Sequence, residues 1–528
     1  MKHLFSISFW VLFVFLQTNL QGSNLQIANI SNTNTTISFE ISWENSWNIQ
    51  NLGRDAVWVF IKTQDCNSDT KAWEHLNLSA INSDHSVGGG VLQVDAVTDG
   101  KGVFIRRSAV GGGNINTSTV TLKFATAFSA TTSINFDVNG VEMVYVTEGS
   151  FIAGDGISTK TFGTSGTNNP QQINNEGALD ANALAFNNDL NWANGNTHPA
   201  IIAGFPKGFA AFYCMKYEIT QKQYVHFLNL LPASQQAVRT SVAPGAPAKT
   251  YALHTLSFPW VRRNYIQIKT PATGNPLSPA VYGMNRDNDN EFDETNDGAN
   301  IACNYLSWND LLAYLDWSAL RPMTELEFEK ACRGPVSAGP FIAGMYAWGS
   351  QNLIRAWNHS DDPSRILNPG MPNEMSATSG NGLAVYDRNE NESGPYRVGF
   401  AAGTGTSREQ AGATYYGIME MSGNVAEQCF SIGRTHNDGN PSYAPTELVA
   451  QFSGVLGDGT LDANGDGNQN TWGAPLDYRQ SILRGGGYIN GAGELRVSSR
   501  YYLHARSVTD AGNNNRQHYI GGRGVRQY

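Results

Sequence analysis

Between residues 25 and 138 the chain alternates apolar and polar side chains in short runs separated by glycine clusters. Ile37, Phe39, Ile41 and Trp43 interleave with Ser38, Glu40, Ser42 and Glu44, the period of a half-buried strand. Leu92, Val94 and Ala96 repeat this pattern, as do Val120, Leu122 and Phe124, while Val57 to Ile61 is a continuous apolar strand. Gly88-Gly89-Gly90 and Gly111-Gly112-Gly113 punctuate the runs. Several short strands over about 110 residues predict a two-sheet, immunoglobulin-like β-sandwich over residues 23–137. No acid/base pair or nucleophile motif stands out there, so a structural or binding role is the expectation for it.

From Val141 onward the period changes and three helix starts can be placed. Thr220 precedes Gln223 by three, and Tyr224, Phe227, Leu228 and Leu231 then share one face. Ser307 precedes Asp310, with Leu311, Leu312 and Leu315 following, and Thr324 precedes Glu327, leading into Phe328 and Ala331. Each is a capping-box spacing, in which two side chains satisfy otherwise orphaned N–H groups. Few helices and much irregular chain make residues 138–528 an α+β region dominated by loops. Such a region needs more than regular ladders to satisfy its backbone, and bound cations are one means.

The first 22 residues read as a secretory signal peptide: Lys2 and His3, an apolar run from Phe5 to Leu16, then a polar stretch ending near Gly22. No later apolar segment is long enough to span a bilayer. The expectation is therefore a secreted protein without a membrane span. An apolar content of 41% supports a packed core, and 55 glycines fit short strands and many turns. A net charge of −10 without a long basic stretch argues against nucleic acid as a partner. Five cysteines, Cys66, Cys214, Cys303, Cys332 and Cys429, show no CxxC spacing, which removes a zinc cluster.

The order of motifs beyond Val138 is more specific. Val141-Glu142-Met143-Val144-Tyr145-Val146 with Gly149-Ser150-Phe151 opens it. Tyr217-Glu218-Ile219-Thr220 follows, then Leu306-Ser307-Trp308-Asn309-Asp310 and Trp317. Next come Arg321, Thr324-Glu325, Glu327-Phe328-Glu329-Lys330-Ala331 with Arg333-Gly334, and Tyr346-Ala347-Trp348-Gly349. Tyr416-Gly417-Ile418-Met419-Glu420-Met421-Ser422-Gly423-Asn424-Val425 with Glu427, Arg484-Gly485-Gly486-Gly487-Tyr488 and Gly522-Arg523-Gly524-Val525-Arg526 complete the series. In this order the elements resemble the formylglycine-generating-enzyme, or sulfatase-modifying-factor, family over roughly residues 138–528. The resemblance implies a loop-rich fold related to the C-type lectins.

Members that oxidise a substrate cysteine carry two copper-binding cysteines near the C-terminus, because thiolates are soft ligands for Cu(I). The matching positions here are Ser498 and Leu503, neither of which can replace a thiolate, so no copper is expected. Arg500 and His504 share this vestigial segment, and His504 is a candidate proton shuttle or a structural histidine. Arg496, Arg500 and Arg506 cluster there, either as an anion site or, as we expect, in buried ion pairs with acids such as Glu325 and Glu329. Cys332 matches a family disulfide position whose partner position is Gln527, which makes a buried thiol the expectation.

The resemblance also implies structural calcium, held by the side chains of Glu420 and Glu427 and the backbone of Gly423 and Val425. The alternative for Glu427 is a cap or a pair with an arginine. Asn358 matches a ligand of a second family site. Asp462 to Asn468 carries half of a calcium-loop pattern, but position 12 would be Gly473, so a solvated turn is expected. The acidic run Asp287 to Asp297 lacks the turn glycine and reads as a solvated insertion.

The functional expectation is a secreted non-catalytic protein, a structural or adhesive subunit of an extracellular or bacterial cell-surface assembly. It would associate with itself or with other protein subunits. Alternatives are a glycan-binding lectin-like protein, a subunit of gliding or secretion machinery, or an enzyme of altered chemistry using Ser498, Arg500 and His504.

Overall fold

The computed structural model describes residues 24–129, 133–158, 161–163, 169–180, 185–186, 200–254, 261–275, 277–356, 366–387, 393–403, 405–432, 452–472, 481–500 and 516–527. The expected signal peptide, 1–22, lies outside them. Among the described residues no helix is long and apolar enough to cross a membrane.

Nine strands follow one another at the N-terminal end: β1 (Gln26–Asn32), β2 (Thr36–Ile49), β3 (Gly53–Asp65), β4 (Trp73–Leu76), β5 (Ser86–Val87), β6 (Leu92–Ala96), β7 (Val103–Arg107), β8 (Gly111–Lys123) and β9 (Ile134–Val146). Strands β1, β2, β8 and β5 form one sheet face, and β4, β3, β7, β6 and β9 the other. The alternating row on β2 turns inward as its period requires. Ile37, Phe39, Ile41 and Trp43 pack with Val57, Val59, Ile61, Val120 and Leu122.

The continuous apolar run on β3 has its own explanation. Its odd-numbered residues enter the sandwich core. Ala56, Trp58 and Phe60 point the other way, into a core shared with Leu311, Leu315, Trp317 and Leu320. A stretch of strand covered on both faces reads as a continuous apolar run rather than an alternating one.

Strand β9 joins the two regions. Along one edge it pairs with β3 from Asp55 opposite Val144 to Asp65 opposite Ile134. Along the other, Met143 to Val146 pair with Phe212–Met215. That strand pairs in turn with Gly524–Arg526, and those residues with Arg321–Pro322. The expected division at 137/138 thus falls inside one strand, and sandwich and C-terminal region share a single 12-stranded sheet. Side chains tie the same junction. Trp58 Nε1 donates to Ser318 O at 2.9 Å, and buried Lys62 Nζ donates to Trp317 O and Gly459 O at 2.7 and 2.6 Å. The Arg526 guanidinium lies 4.1 Å over the Trp58 ring and donates to Asp99 Oδ2 at 2.5 Å.

Among the described residues the α-helices are α1 (Gln221–Asn229), α2 (Ala233–Arg239), α3 (Trp308–Trp317) and α4 (Glu325–Arg333). All three expected capping boxes form, at Thr220 with Gln223, Ser307 with Asp310 and Thr324 with Glu327. A three-stranded sheet, Ala426–Phe430 between Ser481–Arg484 and Ile520–Gly521, lies beside α4.

Candidate functional site

Helix α4 sets the first locus. Its cap fixes the start: Thr324 Oγ1 accepts from Glu327 N at 3.1 Å, and Glu327 Oε2 accepts from Thr324 N at 2.9 Å. Glu327 also takes a two-pronged pair from Arg321, at 2.8 and 2.5 Å. Four residues apart on one face, Glu325 and Glu329 meet the same guanidinium. Arg484 donates to Glu325 Oε2 at 3.2 Å and Glu329 Oε1 at 2.6 Å. Arg500 grips Glu325 with Nε and Nη2 at 2.7 and 2.9 Å, which is the ion pair expected for it. Burial pushes the Glu325 carboxyl up, but the Arg500 and Arg484 charges outweigh it and hold the group below the usual range.

Ser498 completes this network. Its Oγ donates to Glu329 Oε2 at 2.8 Å and accepts from Arg333 Nη2 at 2.6 Å, with no exposed surface. Glu329 Oε2 also accepts from Gly154 N at 2.8 Å. The Ser498 hydroxyl is therefore committed to structural bonds on both sides. Leu503, His504 and Arg506 lie outside the described residues. All five cysteines are free thiols. Burial pushes the Cys332 and Cys429 thiols well above their ordinary range and Cys214 up to about 12.

The second locus surrounds the left-handed residues Glu420, Gly423 and Asn424, with φ of 54°, 95° and 65°. Glu427 Oε1 accepts from Arg523 Nη2 at 2.6 Å, so the pairing alternative for Glu427 is realised. Arg523 also donates to the carbonyls of Met419, Met215 and Lys216. Glu420 Oε1 accepts from Gly399 N at 2.9 Å. Glu218, part of the Tyr217–Thr220 motif but not a residue to which the resemblance gives a role, holds the loop backbone. Its two oxygens accept from Asn424 Nδ2 at 2.6 Å and Val425 N at 3.0 Å. A carboxylate set between Tyr217 and Ile219 is the kind of signal that could have flagged it.

Two features of this locus suit a hard cation. Glu420 Oε2 and Glu427 Oε2 are buried without a hydrogen-bond partner, a costly state for a carboxylate. A cavity of about 10 Å3 opens beside Glu420, Ser422 and Asn424, room for one water-sized occupant. Burial pushes the Glu420 carboxyl up to about 7, and burial with the nearby Glu420 charge pushes Glu218 well above its usual range. Oxygen ligands of this type fit calcium. Asn358 lies outside the described residues.

The half-pattern at Asp462 behaves as a turn. Asp462 Oδ1 accepts from Asn464 N and Asp466 N, and Asp466 pairs with Arg239 at 2.6 Å. A larger cavity, about 550 Å3, lies where the sandwich meets α1 and is lined by Ile27, Asn139, Tyr217, Gln223, Tyr282 and Arg397 among others.

Residues 193–527 match the family model of the sulfatase-modifying factor enzyme 1-like domain. No curated protein matches the chain.

Proposed function

Because the chain belongs to the sulfatase-modifying factor enzyme 1-like family, we propose that it is a secreted, non-catalytic member. It acts as a structural or adhesive subunit of an extracellular or cell-surface assembly. The observation that carries this reading is Ser498. At a position where the resemblance calls for a copper thiolate stands a buried hydroxyl bonded to Glu329 and Arg333. The surrounding scaffold is kept and the soft ligand is not.

Calcium belongs to the same proposal. Glu420 and Glu427, with the Gly423 and Val425 carbonyls, would hold it, and it would supply positive charge to three buried carboxylates. The two unbonded oxygens support this. At one hundred times Kd a folded-state ligand adds about 2.7 kcal/mol. Chelator should therefore lower the melting temperature, and Glu427→Ala should abolish that response. An unchanged melt on chelation counts against the site.

One experiment on native, cell-derived protein tests the function. It should hold no stoichiometric copper, leave a Cys-x-Pro-x-Arg peptide unoxidised, and scatter light as an assembly larger than one chain. Aldehyde formation in the peptide would overturn the reading. The cavity between sandwich and α1 favours glycan binding as a second reading, because 550 Å3 is the size of a small-ligand site. A strict monomer that binds an oligosaccharide, weakened by Tyr217→Ala, would decide for it.

A further inference from the structure

Strand β9 leaves part of one edge uncovered. Residues 134–144 pair with β3 throughout, but along the other edge Phe212–Met215 covers only Met143 to Val146. Lys216 N donates to Glu142 O at 2.9 Å and ends that ladder. The chain then turns away, because Ile219 N donates to Gly522 O at 3.0 Å and Thr220 caps α1. Among the described residues no strand pairs with this edge before Met143.

Register fixes which main-chain groups stay open there. In an antiparallel ladder successive residues turn their N–H and C=O groups to alternate edges. Glu142 turns its carbonyl to Lys216, so Val138 and Gly140 turn theirs the same way, into the uncovered stretch. Both residues, with Asn139, Val141 and Glu142, line the cavity of about 550 Å3. Helix α1 contributes Gln223, His226 and Asn229 to the same cavity, and His226 Nε2 lies 2.8 Å from Asp137 Oδ1 on β9.

Charge in the cavity is a separate observation. Its acids are already engaged: Glu142 with Lys216 at 3.6 Å, Glu218 with Asn424 and Val425, and Asp293 with Lys269 at 3.0 Å. Two lining cations, Lys222 and Arg397, form no ion pair among the described residues. Arg397 is 6% exposed. Its Nε donates to the Glu374 carbonyl and its Nη1 to the Val398 carbonyl at 3.0 Å, while none of the described residues accepts from Nη2.

We infer that this cavity takes an extended peptide segment of a neighbouring subunit, added as a strand to β9 and carrying a carboxylate for Lys222 and Arg397. The inference rests on the assembly reading above and names its contact. Main-chain groups that repeat along a strand edge are matched by another main chain, and pockets beside them receive its alternate side chains. Phe60, Tyr314 and Trp317 give the cavity apolar surface for those side chains. The carboxylate belongs either to an acidic side chain or to the end of the partner chain.

Fluorescence anisotropy of the full chain with an N-terminally labelled Thr-Val-Thr-Val-Asp peptide tests this. Saturable binding is expected, weakened at least about 10-fold when both valines are N-methylated, since each main-chain bond carries about 2–10-fold. Replacing the probe's Asp by Asn, or amidating its C-terminus, shows which carboxylate is read, and one of the two should weaken binding. Val138→Pro removes an edge N–H but leaves the β3 ladder whole, so it should lose binding as the N-methylated probe does, whereas Val138→Thr should keep it. Should Val138→Pro melt lower, the N-methylated probe on the unmodified chain decides. Equal affinity for plain and N-methylated probes overturns the site, as does no binding up to about 1 mM. An oligosaccharide that binds the Val138→Pro variant and the unmodified chain alike, where the probe binds neither, decides for a glycan. Light scattering by the native protein is read separately: an assembly that persists while the probe stays unbound overturns this site and not the assembly.

Discussion

Arg484→Met is expected to destabilise the C-terminal region by about 3–5 kcal/mol, the usual cost of breaking a buried ion pair from one side. Methionine nearly fills the space but returns none of the charge. The Arg484 guanidinium has no exposed surface and serves Glu325, Glu329 and the Val497 carbonyl at once. The ring centres of Phe162 and Phe328 lie 5.7 and 5.4 Å from its central carbon. Glu325 would keep Arg500, but Glu329 would rely on Ser498, Arg333 and the Gly154 N–H. Urea unfolding followed by tryptophan fluorescence measures the loss. A midpoint indistinguishable from that of the unmodified chain would mean the network is not held by Arg484.

A larger effect is expected from cutting the chain at the boundary its pattern suggests. Residues 138–528 alone should not fold cooperatively. The cut removes the whole of β3, the partner of β9 along one edge, and with it Trp58 and Phe60. Phe104, stacked 4.0 Å from Tyr213, goes too. Aromatic residues bury roughly 150–250 Å2 each. At about 25 cal/mol per Å2 the three amount to roughly 10 kcal/mol or more, comparable to the entire stability of an ordinary domain. Calorimetry of the shortened chain checks this. A sharp, reversible transition from a soluble monomer would show that the shared sheet is dispensable.

Much of the fold was legible because local rules dictate it. Thr220, Ser307 and Thr324 each announce a helix by spacing alone, and the row Ile37 to Trp43 announces a half-buried strand. Periodicity states which positions are buried, not what buries them. For that reason Val57 to Ile61 was recognisable as an apolar strand while its second cover, around Trp317, was not. The same limit applied to charge. Arg500 could be matched to Glu325 because both lie in motifs of one family. Arg484 at the centre of the network, and Glu218 under the Asn424 loop, depend on contacts between distant segments. The acidic loop shows this most clearly. Its composition is plain, but only the bracing by Asp297 brings Asp287, Asp289 and Glu294 together.

The pairing of Phe212–Met215 with Gly524–Arg526 has a kinetic consequence. Cys214 faces Val525, roughly 300 positions later in the chain. At about 5–20 residues per second of synthesis, the earlier strand waits some 15–60 s for its neighbour. Throughout that interval one edge of Phe212–Met215 lacks its strand, and the core around Leu315 and Leu320 lacks one of its walls. Sheets closed by such distant partners form slowly. The nascent chain must therefore be kept from aggregating through that open edge until Gly524–Arg526 arrives.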